Sequence, residues 1–149
     1  MKYVNLKLLV VLAIAGVMLS ACGSAQIPVT GEKEKPAVVE PVEGSEFSRV
    51  TLTEKAVERL DIQTAPVSMG QIDGSEYKVI PYAAVLYGLE GETWAYTTNP
   101  TSRMYVRQNI VIDHIDGDMA YLTEGPEVDT PVVTVGASLL YGAEVGVSK

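Results

Sequence analysis

Arg103–Thr123, RMYVRQNIVIDHIDGDMAYLT, is the stretch that decides the fold class. From Arg103 to Asp113 the chain alternates. Met104, Val106, Ile110 and Ile112 fall on one face of an extended strand, and Arg103, Tyr105, Arg107, Asn109 and Asp113 on the other. Gln108 and Val111 break the pattern. Asp116-Gly117 then reads as a type I′ hairpin turn, because that turn needs positive φ, which Gly accepts and Asp tolerates. Met119–Thr123 is the returning strand. Upstream, Trp94, Tyr96 and Thr98 share a strand face after a turn at Glu90-Gly91, and Tyr77–Ile80 runs as a strand into Pro81. Gly70–Ser75 is a polar turn region, and Ile62–Val67 and Val50–Leu52 are strands. Thr53 is placed to cap a helix of about two turns over Glu54–Leu60. Downstream, Pro131–Val135 is a further strand, and Leu139-Leu140-Tyr141-Gly142 is an apolar patch able to dock on the domain. No second helix is read. Roughly six short strands with one short helix at this spacing predict a mainly β domain over residues 47–149, a small barrel or sandwich.

Residues 22–46 have a different texture. Gly23, Pro28, Gly31, Pro36, Pro41 and Gly44 interrupt any period, and Glu32-Lys33-Glu34-Lys35 is a solvated charge run. Such composition cannot bury enough apolar surface to offset its ordering entropy, so the segment is expected to be a flexible tether. Residues 1–21 differ again. Lys2 and Lys7 precede an apolar run from Leu8 to Leu19, and Leu19-Ser20-Ala21 places small residues before Cys22. This is the pattern of a secretory signal peptide, and the run is shorter than the roughly 20 residues needed to span a bilayer. Leu19-Ser20-Ala21-Cys22-Gly23 closely resembles the bacterial lipobox. The resemblance implies cleavage before Cys22 and lipid on its sulfur and on the new amino terminus. One acyl chain holds a protein at a membrane only marginally, so stable anchoring takes two or more.

The charge and residue inventory narrows the function. Cys22 is the sole cysteine, which excludes a disulfide, a C-x-x-C redox pair and a thiolate cluster. Without residues 1–21 the chain keeps nine basic residues against nineteen acidic, a net charge of −10. An acidic surface argues against nucleic acid as a partner and leaves the lipid as the membrane tie. His114 is the single histidine. Beside Asp113 and Asp116 it has the chemistry of a metal ligand or base, but it lacks a second histidine or a nucleophile in any recognisable motif. Its expected role is a locally bonded turn residue. Asp113, Asp116, Gly117 and Asp118 lack the spacing of an EF-hand loop. Met69, Met104 and Met119 have thioethers suited to soft cations, yet Met104 alternates with core-like valine and isoleucine, as packing alone would require. Neither a metal, a cofactor nor an enzymatic activity is expected.

Two stretches carry a family resemblance. Val50–Leu60 with Asp61-Ile62-Gln63-Thr64-Ala65-Pro66-Val67 resembles the opening segment of periplasmic adaptor subunits (membrane fusion proteins) of resistance-nodulation-division efflux pumps. Ile80–Tyr87 followed by Gly91-Glu92-Thr93-Trp94-Ala95-Tyr96 resembles the run that begins their carboxy-terminal portion. Val106–Val111, Asp116-Gly117-Asp118, Gly125 and Val132–Ala137 continue in the same order. The likeness covers nearly all of residues 50–145. Between Val67 and Tyr77 there is room only for about ten polar residues, so a lipoyl-like module and a coiled-coil hairpin are missing, and no heptad run exists. What remains is similar to the membrane-proximal β-domain alone.

The resemblance implies a lipid-anchored, non-catalytic module of an efflux or export system, extracytoplasmic and either at the outer face of the cell membrane or facing the periplasm. Its partners would be a transporter or a full-length adaptor. Because full adaptors assemble as rings, self-association is also implied. In such a module the contact residues are expected to be Arg103 and Arg107, on the more polar strand face, with Trp94 and Tyr96 as aromatic candidates. The alternative is a small-ligand or metal-binding cell-envelope lipoprotein that uses Trp94, Tyr96 and neighbouring acidic residues.

Overall fold

The structure is a computed structural model, and the residues it describes are 35–147. The expected signal-peptide segment 1–21, Cys22 and the first part of the expected tether lie outside the described residues. The strands are β1 (Ala37–Pro41), β2 (Ser48–Leu52), β3 (Gln63–Pro66), β4 (Ser68–Ile72), β5 (Ser75–Pro81), β6 (Leu86–Tyr87), β7 (Thr93–Thr98), β8 (Met104–Asn109), β9 (Val111–Asp116), β10 (Met119–Glu124) and β11 (Pro131–Val135). Helix α1 is Glu54–Leu60 and helix α2 is Ala137–Val147, and a 3-10 turn covers Tyr82–Ala84.

The mainly β expectation holds, with two open antiparallel sheets rather than a closed barrel. One sheet runs β1-β2-β8-β7-β11-β3, with β6 also paired to β7; the other runs β4-β5-β10-β9. Two corner residues make two sheets from continuous chain. Ile110, 3% exposed, separates β8 from β9. Its N–H donates to the Thr93 carbonyl (3.0 Å) and its carbonyl accepts from the Thr93 hydroxyl (2.7 Å). Val67, 1% exposed, separates β3 from β4, with its N–H on the Thr130 carbonyl and its carbonyl taking the Asp129 N–H, both at 2.9 Å. Strands that cross between packed sheets bend at such points.

Arg103–Asp113 is therefore two strands in two sheets, and its expected faces are corrected. Tyr105 is buried, whereas Met104 is 44% exposed. Pairing decides this: Tyr105 lies opposite Val50 of β2, and Arg107 opposite Tyr96 of β7, which puts both on the core side of the larger sheet. Gln108 and Val111 break the alternation because the chain changes sheets between them.

The larger sheet is covered on both faces. On one face Val50, Leu52, Tyr96, Tyr105 and Val133 pack with Ala56 of α1 and Ala137 and Leu140 of α2. On the other, Ala95 and Val132 pack with Ile80, Ala120 and Leu122 of the smaller sheet. Four consecutive residues of β7, Trp94 to Thr97, are buried as a result. Local chemistry shapes the ends of α1. Thr53 caps it through its hydroxyl, which accepts from the Ala56 N–H at 3.3 Å, as the sequence predicts.

Four further expectations change. Residues 37–41 are not tether: β1 pairs along its length with β2, and Ala37 and Val39 pack on the core beneath the helices. Gly70–Ser75 is not simply a turn, because β4 and β5 form a hairpin closed at Asp73-Gly74. The β9–β10 turn is Gly117-Asp118, with only Gly117 at positive φ, so it is not the type I′ turn at Asp116-Gly117. Helix α2, not foreseen, starts immediately after Gly136, whose φ of +87° and close approach to Ile62 and the Leu60 carbonyl suit glycine alone.

Candidate functional site

The chemistry of the domain concentrates where side chains of α2 meet those of β7 and β8. Trp94 and Tyr96 point to one side of β7, as i and i+2 residues must, and Arg107 stands opposite Tyr96 on β8. The Arg107 guanidinium lies 4.6 Å from the ring centre of Phe47, 4.7 Å from Trp94 and 5.1 Å from Tyr141. Three rings within about 6 Å form a cation–π cage. The rings support each other as well: Tyr141 stacks on Trp94 at 6.3 Å, and Phe47 meets Trp94 edge-on at 6.2 Å.

Glu144 of α2 closes the cage. Arg107 donates from Nε to Glu144 Oε2 at 2.9 Å and from Nη2 to Oε1 at 3.0 Å, the bidentate fork that guanidinium geometry favours. The Tyr96 hydroxyl donates to Oε2 at 2.5 Å, and the Ser48 N–H to Oε1 at 3.2 Å. The Arg107 and Glu144 side chains are only 10% and 4% exposed. Both charges are thus desolvated and multiply bonded, which is the condition for a buried pair to persist.

Burial, and then the hydrogen bond to Glu144, push the Tyr96 hydroxyl well above its ordinary value of 10.0. Burial raises Tyr105 in the same direction. The sign follows from linkage: above pH 10 the unfolded chain releases tyrosine protons that the folded chain keeps, so stability present below that pH is lost as pH rises. Melting curves from pH 8 to 11.5 are expected to fall steeply above pH 10. The slope should be shallower in Tyr96→Phe.

This geometry corrects the expected contact surface. Arg107 is consumed inside the domain, and Trp94 and Tyr96, at 9% and 0% exposure, are core residues rather than surface aromatics. Arg103 alone stays exposed. It borders a shallow cleft of about 390 Å³ with Thr53, Glu54, Lys55 and Glu58. Paired substitution of Arg103 and Arg107 would not leave stability unchanged. Glu144 was not singled out from sequence, although a lone acid seven residues after Ala137 and four after Leu140 falls on their helix face.

Beside the cage opens a cleft of about 690 Å³, bordered by Tyr87, Trp94, Asn109 and Val111 and by Glu46, Glu92 and Glu124. His114 lies elsewhere, within β9 rather than in the turn. It stacks on Tyr121 at 4.5 Å, meets Tyr77 edge-on at 5.5 Å, and holds Asp113 Oδ2 2.8 Å from Nδ1. Met69 and Met119 lie in the smaller sheet, Met104 in the larger. Exposure of Met104 corrects its expected packing role. Among the described residues no three His, Cys, Asp or Glu side chains group to hold a metal ion, and no helix is long and apolar enough to cross a membrane. The chain matches no model of a known protein family, no curated protein and no solved structure.

Proposed function

We propose that the protein is a lipid-anchored, non-catalytic adaptor-like module of an efflux or export system, acting through protein–protein contacts at the outer face of the membrane. One observation carries this reading. The two stretches that resemble efflux adaptors, residues 50–67 and 80–137, are neighbours in one sheet, with β2 against β8 and β3 against β11. The chain between them is largely the β4–β5 hairpin. In a full-length adaptor the outward excursion would leave the domain at that hairpin. A domain without the excursion is left with its surfaces for function, and with Cys22 as its tie to the membrane.

The test is Cys22→Ser. Detergent partitioning is expected to move wild type into the detergent phase and the variant into the aqueous phase, and crosslinking should capture a transporter or full-length adaptor with wild type only. Equal partitioning of the two would remove the lipid anchor from the account.

The cleft beside Trp94 favours a second reading, a small-ligand-binding envelope lipoprotein. Its aromatic wall and three carboxylates suit an organic cation. A thermal shift with such cations that disappears in Glu92→Gln would support this reading; an adaptor module should show none.

A further inference from the structure

Helix α2 carries one charged residue between Ala137 and Gly146, and that residue, Glu144, points inward. The outward positions are Ser138, Leu139, Tyr141, Gly142, Val145 and Gly146. Leu139 is 52% exposed, Val145 42% and Tyr141 38%. A neutral, largely apolar helix face is unusual on a chain whose mature form has a net charge of −10. Some of the other exposed apolar side chains lie beside carboxylates in the chain. Leu89 is followed by Glu90 and Glu92, while Val111 and Ile115 alternate with Asp113 and Asp116 on β9.

We infer that this face of α2 rests on the lipid surface to which the protein is anchored, so that the domain lies down on the bilayer in a fixed orientation. The inference rests on the anchoring of Cys22 proposed above. Two observations name the occupant. The chain from the anchor enters the domain beside this helix: Ala37 and Val39 of β1 share a packed cluster with Ala137, Leu140 and Ala143. Fourteen residues separate Cys22 from Ala37, which span at most about 50 Å even when fully extended. The bilayer is therefore always within reach of α2. The acidic remainder of the surface gains nothing from headgroups, whereas Leu139, Tyr141 and Val145 gain by leaving water for the headgroup–acyl boundary. With so few apolar side chains the contact orients the domain without holding it at the membrane, which remains the work of the lipid.

The test uses the lipidated protein in phosphatidylcholine vesicles. Its own cysteine is blocked by lipid, so Leu139→Cys and, as a control at the β4–β5 turn, Ser75→Cys each offer one thiol for an environment-sensitive fluorophore. The label at 139 should emit at shorter wavelength and be quenched by doxyl-labelled lipid at least threefold more than the label at 75. Adding Val145→Asp should abolish that difference. Equal quenching at both positions overturns the inference. So does a blue shift at 139 that grows with protein density and is insensitive to doxyl lipid, because a second copy then covers the face. Failure of anchoring is read separately: a protein without lipid does not float with the vesicles, whereas an anchored protein with an unquenched label at 139 contradicts only the orientation.

Discussion

Glu144→Ala is expected to destabilise the domain by about 3–5 kcal/mol, the range for breaking one partner out of a buried ion pair. The substitution leaves the Arg107 guanidinium desolvated among Phe47, Trp94 and Tyr141 and removes the acceptor used by the Tyr96 hydroxyl and the Ser48 N–H. Packing changes little by comparison, because the lost methylenes are few. For a domain of this size the melting temperature should drop by on the order of 15 °C. The double replacement Arg107→Met with Glu144→Leu should recover most of the loss, because no stranded charge remains. Thermal melts of Arg107→Met, of Glu144→Leu and of the double form the cycle. Two singles whose effects simply add in the double would mean that the pair is not coupled.

Trp94→Ala should cost about 3–5 kcal/mol, the usual range for an aromatic deleted from a core. Its ring is one wall of the Arg107 cage, a stacking platform for Tyr141 and the edge-on partner of Phe47. Gly88 packs so closely that a Cβ there would come within 2.6 Å of Trp94 Cη2. Removing the indole opens a cavity and thins the cage, so α2 loses its seat. Trp94→Phe keeps an aromatic face under the guanidinium and should cost clearly less. Urea titrations followed by circular dichroism measure both. Equal losses for Ala and Phe would mean that the ring contributes bulk alone.

Most of the longer strands are readable because period-2 alternation and turn residues are local properties, whereas β4 and β6 carry no such signal and β8 and β9 read as one run. Pro131–Val135 and the cap at Thr53 lie where these signals put them. What escaped was whatever depended on the partner. The face of β8 was misjudged because Met104 and Val106 look more core-like than Tyr105, and only the pairing with β2 and β7 reverses this. β1 was hidden by prolines and charges, although Ala37 and Val39 pack inward. Helix α2 contains Gly142, Gly146 and Val145, all weak helix formers, so docking of Leu140 and Glu144 supplies the order that composition does not. The cage was half legible. Trp94, Tyr96 and Arg107 stand out in the sequence as chemistry-bearing residues, but the residue that turns them into a buried pair lies 37 positions from Arg107.

Intact mass spectrometry of the protein extracted from membranes tests the central claim most directly. The account predicts a chain that begins at Cys22 and carries the added mass of a diacylglyceryl group and an amino-terminal acyl chain. A chain that still begins at Met1, or a processed chain with an unmodified Cys22, would contradict it.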